Sequence, residues 1–200
     1  MLTSANLGEV MRSTAPLKPM IAIALLSAAV GCGAANTAAK QPTYAELRAG
    51  LSGSPPALSQ LHSRMGKVET DGKAAFNTQL EALRGYPAVV NVWASWCGPC
   101  RYEFPVFGEA SLKLGSRVGF LGVSSKDSVQ SAQAFLTKHP VGYPSWNDSD
   151  GAISQSIGVA AGLPATVFFN KAGKRTYIHQ GPYASVADLE RDVAQYGSEK

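Results

Sequence analysis

The spacing of apolar positions changes period several times along the chain, and each change marks an element. The run Ala88-Val89-Val90-Asn91-Val92-Trp93-Ala94 is apolar except at Asn91. It is rich in β-branched residues and too short for a helix, which predicts a strand buried on both faces. Further strands are predicted at 117–124, 165–170 and 174–180, the last two joined by the hairpin signal Lys171-Ala172-Gly173. Helical spacing predicts helices at about 99–114, 127–138, 152–157 and 185–196, with Asp127 as the N-cap of the second and Pro140 ending it. Pro105 is expected to kink the first of these, and 143–151 reads as turn. Upstream, helices are expected at 43–50, at 57–67 on Leu58, Leu61 and Met65, and at 74–84 on Phe76, Leu80 and Leu83. The alternation implies an α/β domain over 86–200, a mixed central sheet with helices on both faces, preceded by a helical extension over 43–85.

The first forty residues follow another pattern. Arg12 and Lys18 precede the apolar run Met20 to Val30, which is short of the roughly 20 residues of a membrane span but suits the core of a signal peptide. It ends Ala29-Val30-Gly31-Cys32. Small residues before a cysteine resemble a bacterial lipobox, although Ala29 stands where Leu is commonest. Residues 1–31 are therefore expected to be a lipoprotein-type signal peptide, best read from Met11, with lipidation at Cys32 and a flexible tether over 32–42. Plain secretion and an uncleaved anchor are the alternatives. The lipid anchor would hold the domain at the extracytoplasmic face of a bacterial cell membrane, where disulfides persist.

Composition adds little beyond this. The net charge is +4 and the basic residues are scattered, which gives no support for a nucleic-acid partner. Three cysteines are more telling. Two lie in Trp96-Cys97-Gly98-Pro99-Cys100, directly after the buried strand. The spacing places Cys100 nearly one turn after Cys97, close enough to bridge as a Cys97–Cys100 disulfide. A thiolate at Cys97 would be favoured by the free N–H groups and positive dipole end of the following helix. A structural zinc site is disfavoured, since there is no second CxxC and His62, His139 and His179 lack ligand spacing. Arg101 stands where covalent haem attachment needs His, so no metal and no cofactor are expected. A copper(I) metallochaperone for an oxidase copper site is the non-enzyme alternative, with His179 as the candidate extra ligand.

Residues 88–197 resemble the thioredoxin fold, and more narrowly the TlpA/ResA group of membrane-tethered thiol-disulfide oxidoreductases. The resemblance rests on Leu83-Arg84-Gly85, on Val89 to Arg101 with Glu103 and Pro105, on Tyr143-Pro144, Asp148, Asp150-Gly151 and Gly158-Val159, and on Gly162-Leu163-Pro164-Ala165-Thr166. It implies that Cys97 is the exposed nucleophile and Cys100 the resolving thiol. Pro164 would be a cis-proline facing them, and the backbone of Leu163 would pair with an extended client segment. Trp96, with Gly98 and Pro99, would shape the docking surface. Glu103 would tune proton transfer in place of the strand aspartate of general thioredoxins, where this chain has Asn91, which cannot take a proton. The implied partners are a client protein with a disulfide or dithiol and a membrane electron donor that recharges the pair. Apocytochrome c, hence cytochrome c maturation, and a copper-site cysteine pair are the candidate clients. Gly-Pro between the cysteines resembles reducing thioredoxins, with potentials of about −270 mV, which favours a reductase over a disulfide-forming oxidant. The group often carries an N-terminal β-hairpin, where residues 43–85 here read mainly as helix.

Overall fold

A computed structural model describes residues 39–160 and 162–198. The expected signal peptide, Cys32 and most of the tether lie outside the described residues. Within them the buried run forms β2 (Ala88–Trp93), every residue of which is inaccessible. The other elements are α1 (Tyr44–Gly50), α2 (Pro56–His62), β1 (Val68–Glu69), α3 (Gly72–Glu81), α4 (Gly98–Leu114), β3 (Gly119–Ser125), α5 (Val129–Lys138), β4 (Ser145–Asp148), α6 (Ala152–Ser156), β5 (Ala165–Phe169), β6 (Arg175–Gln180) and α7 (Val186–Tyr196). They build one six-stranded sheet in the order β1-β4-β3-β2-β5-β6. The first four are mutually parallel, and β5 and β6 are antiparallel to their neighbours.

Strand alternation divides the core in two. Val89, Trp93, Phe120 and Phe168 join Phe104 and Phe107 of α4 and Leu189 and Val193 of α7. Val90, Val92, Leu121, Val123 and Val167 face the other way, onto Leu58, Leu61, Phe76 and Ile153. Helices α2 and α3 thus close one face of the sheet, a face that would otherwise leave a large apolar surface in water. On the α4 side Phe104 meets Trp93 at 4.9 Å and Phe135 at 4.6 Å, both edge to face. Pro105 falls inside α4, which continues through it as one helix of 17 residues.

Three expectations are corrected. The helix expected over 57–67 ends at His62, because the chain beyond it is drawn into the sheet. Gly66 turns at φ +70°, its N–H donates to Tyr143 O at 2.9 Å, and Val68–Glu69 pair with Ser145–Trp146. The segment 143–151, read as turn, therefore contains β4, a strand recruited by neighbours on both sides rather than by its own pattern. The N-cap of α5 is Ser128, whose Oγ accepts the Ser131 N–H at 3.1 Å; Asp127 is used elsewhere.

Register brings one row of residues into line across the sheet. Ser145, Gly122, Asn91, Thr166 and His179 stand opposite one another on successive strands. Directly paired residues share a face, and Asn91 lies two positions from both Val89 and Trp93 and so shares theirs, so this row looks toward α4. Gly122 is required there: a Cβ would collide with Ser145 Oγ and press on Trp93 Nε1 at 3.1 Å.

Candidate active site

Cys97 is the N-cap of α4 and Cys100 lies in its first turn. The two form a disulfide with a Cα–Cα separation of 5.3 Å. Cys97 Sγ accepts the Cys100 N–H at 3.2 Å, so the cap position itself is filled by sulfur. In the reduced protein the same N–H and the helix dipole favour negative charge on Cys97 over Cys100. Cys97 is less exposed than a free nucleophile suggests: 5% of its surface reaches solvent, against none for Cys100. The asymmetry still has the expected sense. Gly98 and Pro99 between them are exposed.

The loop before the helix is held by Asp127. Its carboxylate accepts the Ser95 N–H at 2.6 Å and the Ser128 N–H at 2.8 Å, tying the strand exit to the start of α5. This clamp is not legible in the sequence, where the position of Asp127 after β3 is its one signal. Asp127→Ala is expected to destabilise the fold by about 2 kcal/mol, since hydrogen bonds to a charged acceptor are worth roughly 1.5–3 each. Urea denaturation of the oxidised protein measures this. Lys126 sits at φ +52°, and its carbonyl accepts Trp96 Nε1–H at 3.1 Å. The Trp96 ring, 62% exposed, thereby leans toward the β3–α5 loop. It walls a cleft of about 310 Å³ with Lys126, Asp150, Gln155, Val159 and Leu163. The Leu163–Pro164 peptide bond is cis, as the resemblance implied, with Pro164 buried and Leu163 half-buried.

Beneath the disulfide lies Glu103, fully buried one turn along α4 from Cys100. Its Oε1 accepts from Asn91 Nδ2 at 2.8 Å and its Oε2 from the Tyr183 N–H at 3.1 Å. Burial pushes its carboxyl up to about 8, against the smaller opposing effect of those two hydrogen bonds. The substitution that distinguishes Asn91 from an aspartate thus has a direct counterpart: the strand residue supplies a donor to the helix residue that carries the acid. Tyr183 reads from the sequence as a packing or rim residue, and its contact with Glu103 is made by backbone, which leaves no side-chain signal there. His179 stacks on Tyr183 at 4.2 Å, with Nδ1 3.8 Å from Asp192 Oδ2. Among the described residues no three His, Cys, Asp or Glu side chains are grouped as metal ligands.

The Redoxin family model matches residues 58–193, spanning both the cysteine pair and the cis-proline loop. The chain belongs to the Redoxin family. This Redoxin domain is similar to the soluble secreted antigen MPT53 of Mycobacterium tuberculosis, 30% identical over 109 residues, which cover 54% of this chain and 61% of that protein. It is 38% identical over 92 residues to the thiol:disulfide interchange protein DsbE of Pseudomonas fluorescens, covering 46% of this chain and 49% of the relative. The chain thus spans about half to three fifths of the length of these curated relatives. Among solved structures, a secreted Mycobacterium tuberculosis disulfide oxidoreductase described as homologous to the Escherichia coli DsbE superposes with a TM-score of 0.51 at 29% identity, covering 57% of this chain and 85% of that one. The fold is thioredoxin-like, a mixed sheet flanked by helices, as the alternation of elements and the resemblance implied.

Proposed function

We propose that the chain is an extracytoplasmic thiol-disulfide oxidoreductase that reduces disulfides in client proteins. The observation that carries this reading is the Cys97–Cys100 disulfide at the start of α4, with the buried Glu103 carboxyl one turn along the same helix. A membrane electron donor supplies two electrons, solvent supplies two protons, and the disulfide opens to a dithiol. Cys97 thiolate attacks a client disulfide, forming a mixed disulfide and releasing one client thiolate, which takes a proton. Ionised Glu103 then accepts the Cys100 proton, and Cys100 thiolate attacks Cys97 Sγ, expelling the second client thiolate and restoring the disulfide. The client segment lies in the Trp96–Leu163 cleft, its backbone paired with that of Leu163 as an added strand. Gly98 and Pro99, exposed between the cysteines, leave room for the incoming sulfur. Lipidation at Cys32 would fix the domain to the membrane, and disulfides of apocytochrome c in cytochrome c maturation are the proposed substrate class.

The test is a trap. Cys100→Ser removes the resolving thiol, so the client is expected to remain attached to Cys97 and to be identified by mass spectrometry after thiol quenching. Insulin reduction measures turnover in the parent chain. A parent that fails to reduce insulin, together with a Cys100→Ser protein that retains no partner, would sink the reading.

A further inference from the structure

Glu103 must exchange a proton in each cycle, yet none of its surface reaches solvent. Its surroundings indicate a route. Asn91 spends Nδ2 on Glu103, while its Oδ1 is buried with no protein hydrogen-bond partner. Thr166, directly opposite Asn91 on β5, likewise has a buried Oγ1 with no protein partner. Opposed residues on adjacent strands lie about 5 Å apart at Cβ, and buried polar atoms are almost always satisfied, by ordered water where protein is lacking. One water bonded to Asn91 Oδ1, Thr166 Oγ1 and Glu103 would satisfy both atoms at once. Thr166 is in turn opposite His179 at the sheet edge, whose side chain is 27% exposed. Tyr183 spans the same path, with its N–H on Glu103, its ring on His179 and its hydroxyl donating to Asp192 at 2.6 Å.

We propose that His179 is the proton port of the buried acid: protons pass between Glu103 and solvent through a water held by Asn91 and Thr166, and then through His179. The proposal rests on the Cys97/Cys100 cycle only for its purpose, not for its test. On the outward path Glu103 gives its proton to the water, which passes one to the Thr166 hydroxyl as that hydroxyl releases its own to His179. Imidazolium then releases a proton to bulk water, beside Asp192. No electrons move and Glu103 ends as carboxylate. The titratable groups facing Glu103 are Cys100 on its own helix, Tyr143 from the loop before β4 and Tyr183. Those facing His179 are Asp188 and Asp192 of α7 with Tyr183. Tyr143 and Tyr183 are held neutral by burial. Of these groups only His179 stands in the row itself with a side chain that reaches solvent.

The decisive measurement is a pH jump on the oxidised full-length chain, following the protonated carboxyl band of Glu103 by time-resolved infrared, with Glu103→Gln to assign the band. Thr166→Val keeps shape and removes the hydroxyl. His179→Phe keeps the stacking on Tyr183 and removes the nitrogens. Both are expected to slow loss of the band by about tenfold or more, and free imidazole to restore the rate in His179→Phe. A parental rate in either variant overturns the proposal, as does a slow His179→Phe that imidazole leaves slow. No client or redox turnover enters the readout, so failure of the oxidoreductase reading would show in the insulin assay and leave this result standing.

Discussion

Cys97→Ser is expected to bring insulin-disulfide reduction down to the uncatalysed rate, a loss of ~10³-fold or more, as removal of a nucleophile usually causes. The physical reason is local. Only Cys97 combines residual solvent contact with the cap position, where the Cys100 N–H points at its sulfur. Serine keeps the cap, because its Oγ accepts the same N–H, so the helix start and the fold should survive. What it lacks is an ionisable thiol near neutral pH. The variant should therefore unfold at a urea midpoint close to that of the reduced parent while showing no turnover and forming no mixed disulfide at residue 97. Activity retained above a tenth of the parental rate, taking ~10³-fold as the effect of losing a nucleophile, would mean that attack starts at Cys100, against its complete burial.

The second large effect is a dependence of stability on pH. The Glu103 carboxyl has its ordinary value of 4.5 when unfolded and is pushed up to about 8 when folded, chiefly by burial. Between those values the native chain holds a proton that the unfolded chain does not, so stability falls as pH rises. Below the lower value both states are protonated and the effect vanishes; above the upper one both are ionised and the full penalty of a buried carboxylate applies. The oxidised protein should thus lose several kcal/mol of unfolding free energy between about pH 5 and about pH 8, at ~1.4 kcal/mol per pH unit. Glu103→Gln, which stays neutral, should flatten that slope while giving up one of the two hydrogen bonds at the site. Urea titrations of both proteins at the two pH values measure the difference. An equal slope in the two would show that Glu103 is not the group responsible.

The elements that sequence revealed and those it hid divide along a physical line. β2, the hairpin of β5 and β6, and α7 are governed by their own patterns: continuous burial, a Gly173 turn at φ +75°, and a Ser185 cap that accepts the Asp188 N–H at 3.1 Å. β1 and β4 exist only as each other's partners and that of β3, so no local period announces them. The same holds at the site. Cys97 and Cys100 are visible from their chemistry and spacing, and Pro164 and Glu103 only through the family resemblance. The Asp127 clamp and the Tyr183 N–H on Glu103 are not, because one is a common residue in a common place and the other is backbone. Asn91 is intermediate: its identity shows that it cannot take a proton, and only the fold shows that it donates to the Glu103 carboxyl.

The short strand β1 has a consequence of a different kind. Without it, β4 would be the rim of the sheet, with Ser145 and Trp146 offering unpaired backbone groups to any passing extended chain. Two residues are enough to occupy that rim, and the covering strand ends in Glu69, whose carboxylate is engaged by Arg64 at 3.3 Å. A rim strand this short and charged is a poor template for further pairing. One edge of the sheet is thereby closed to strand addition at β4, whether by an extended segment of another protein or by a second copy of the chain.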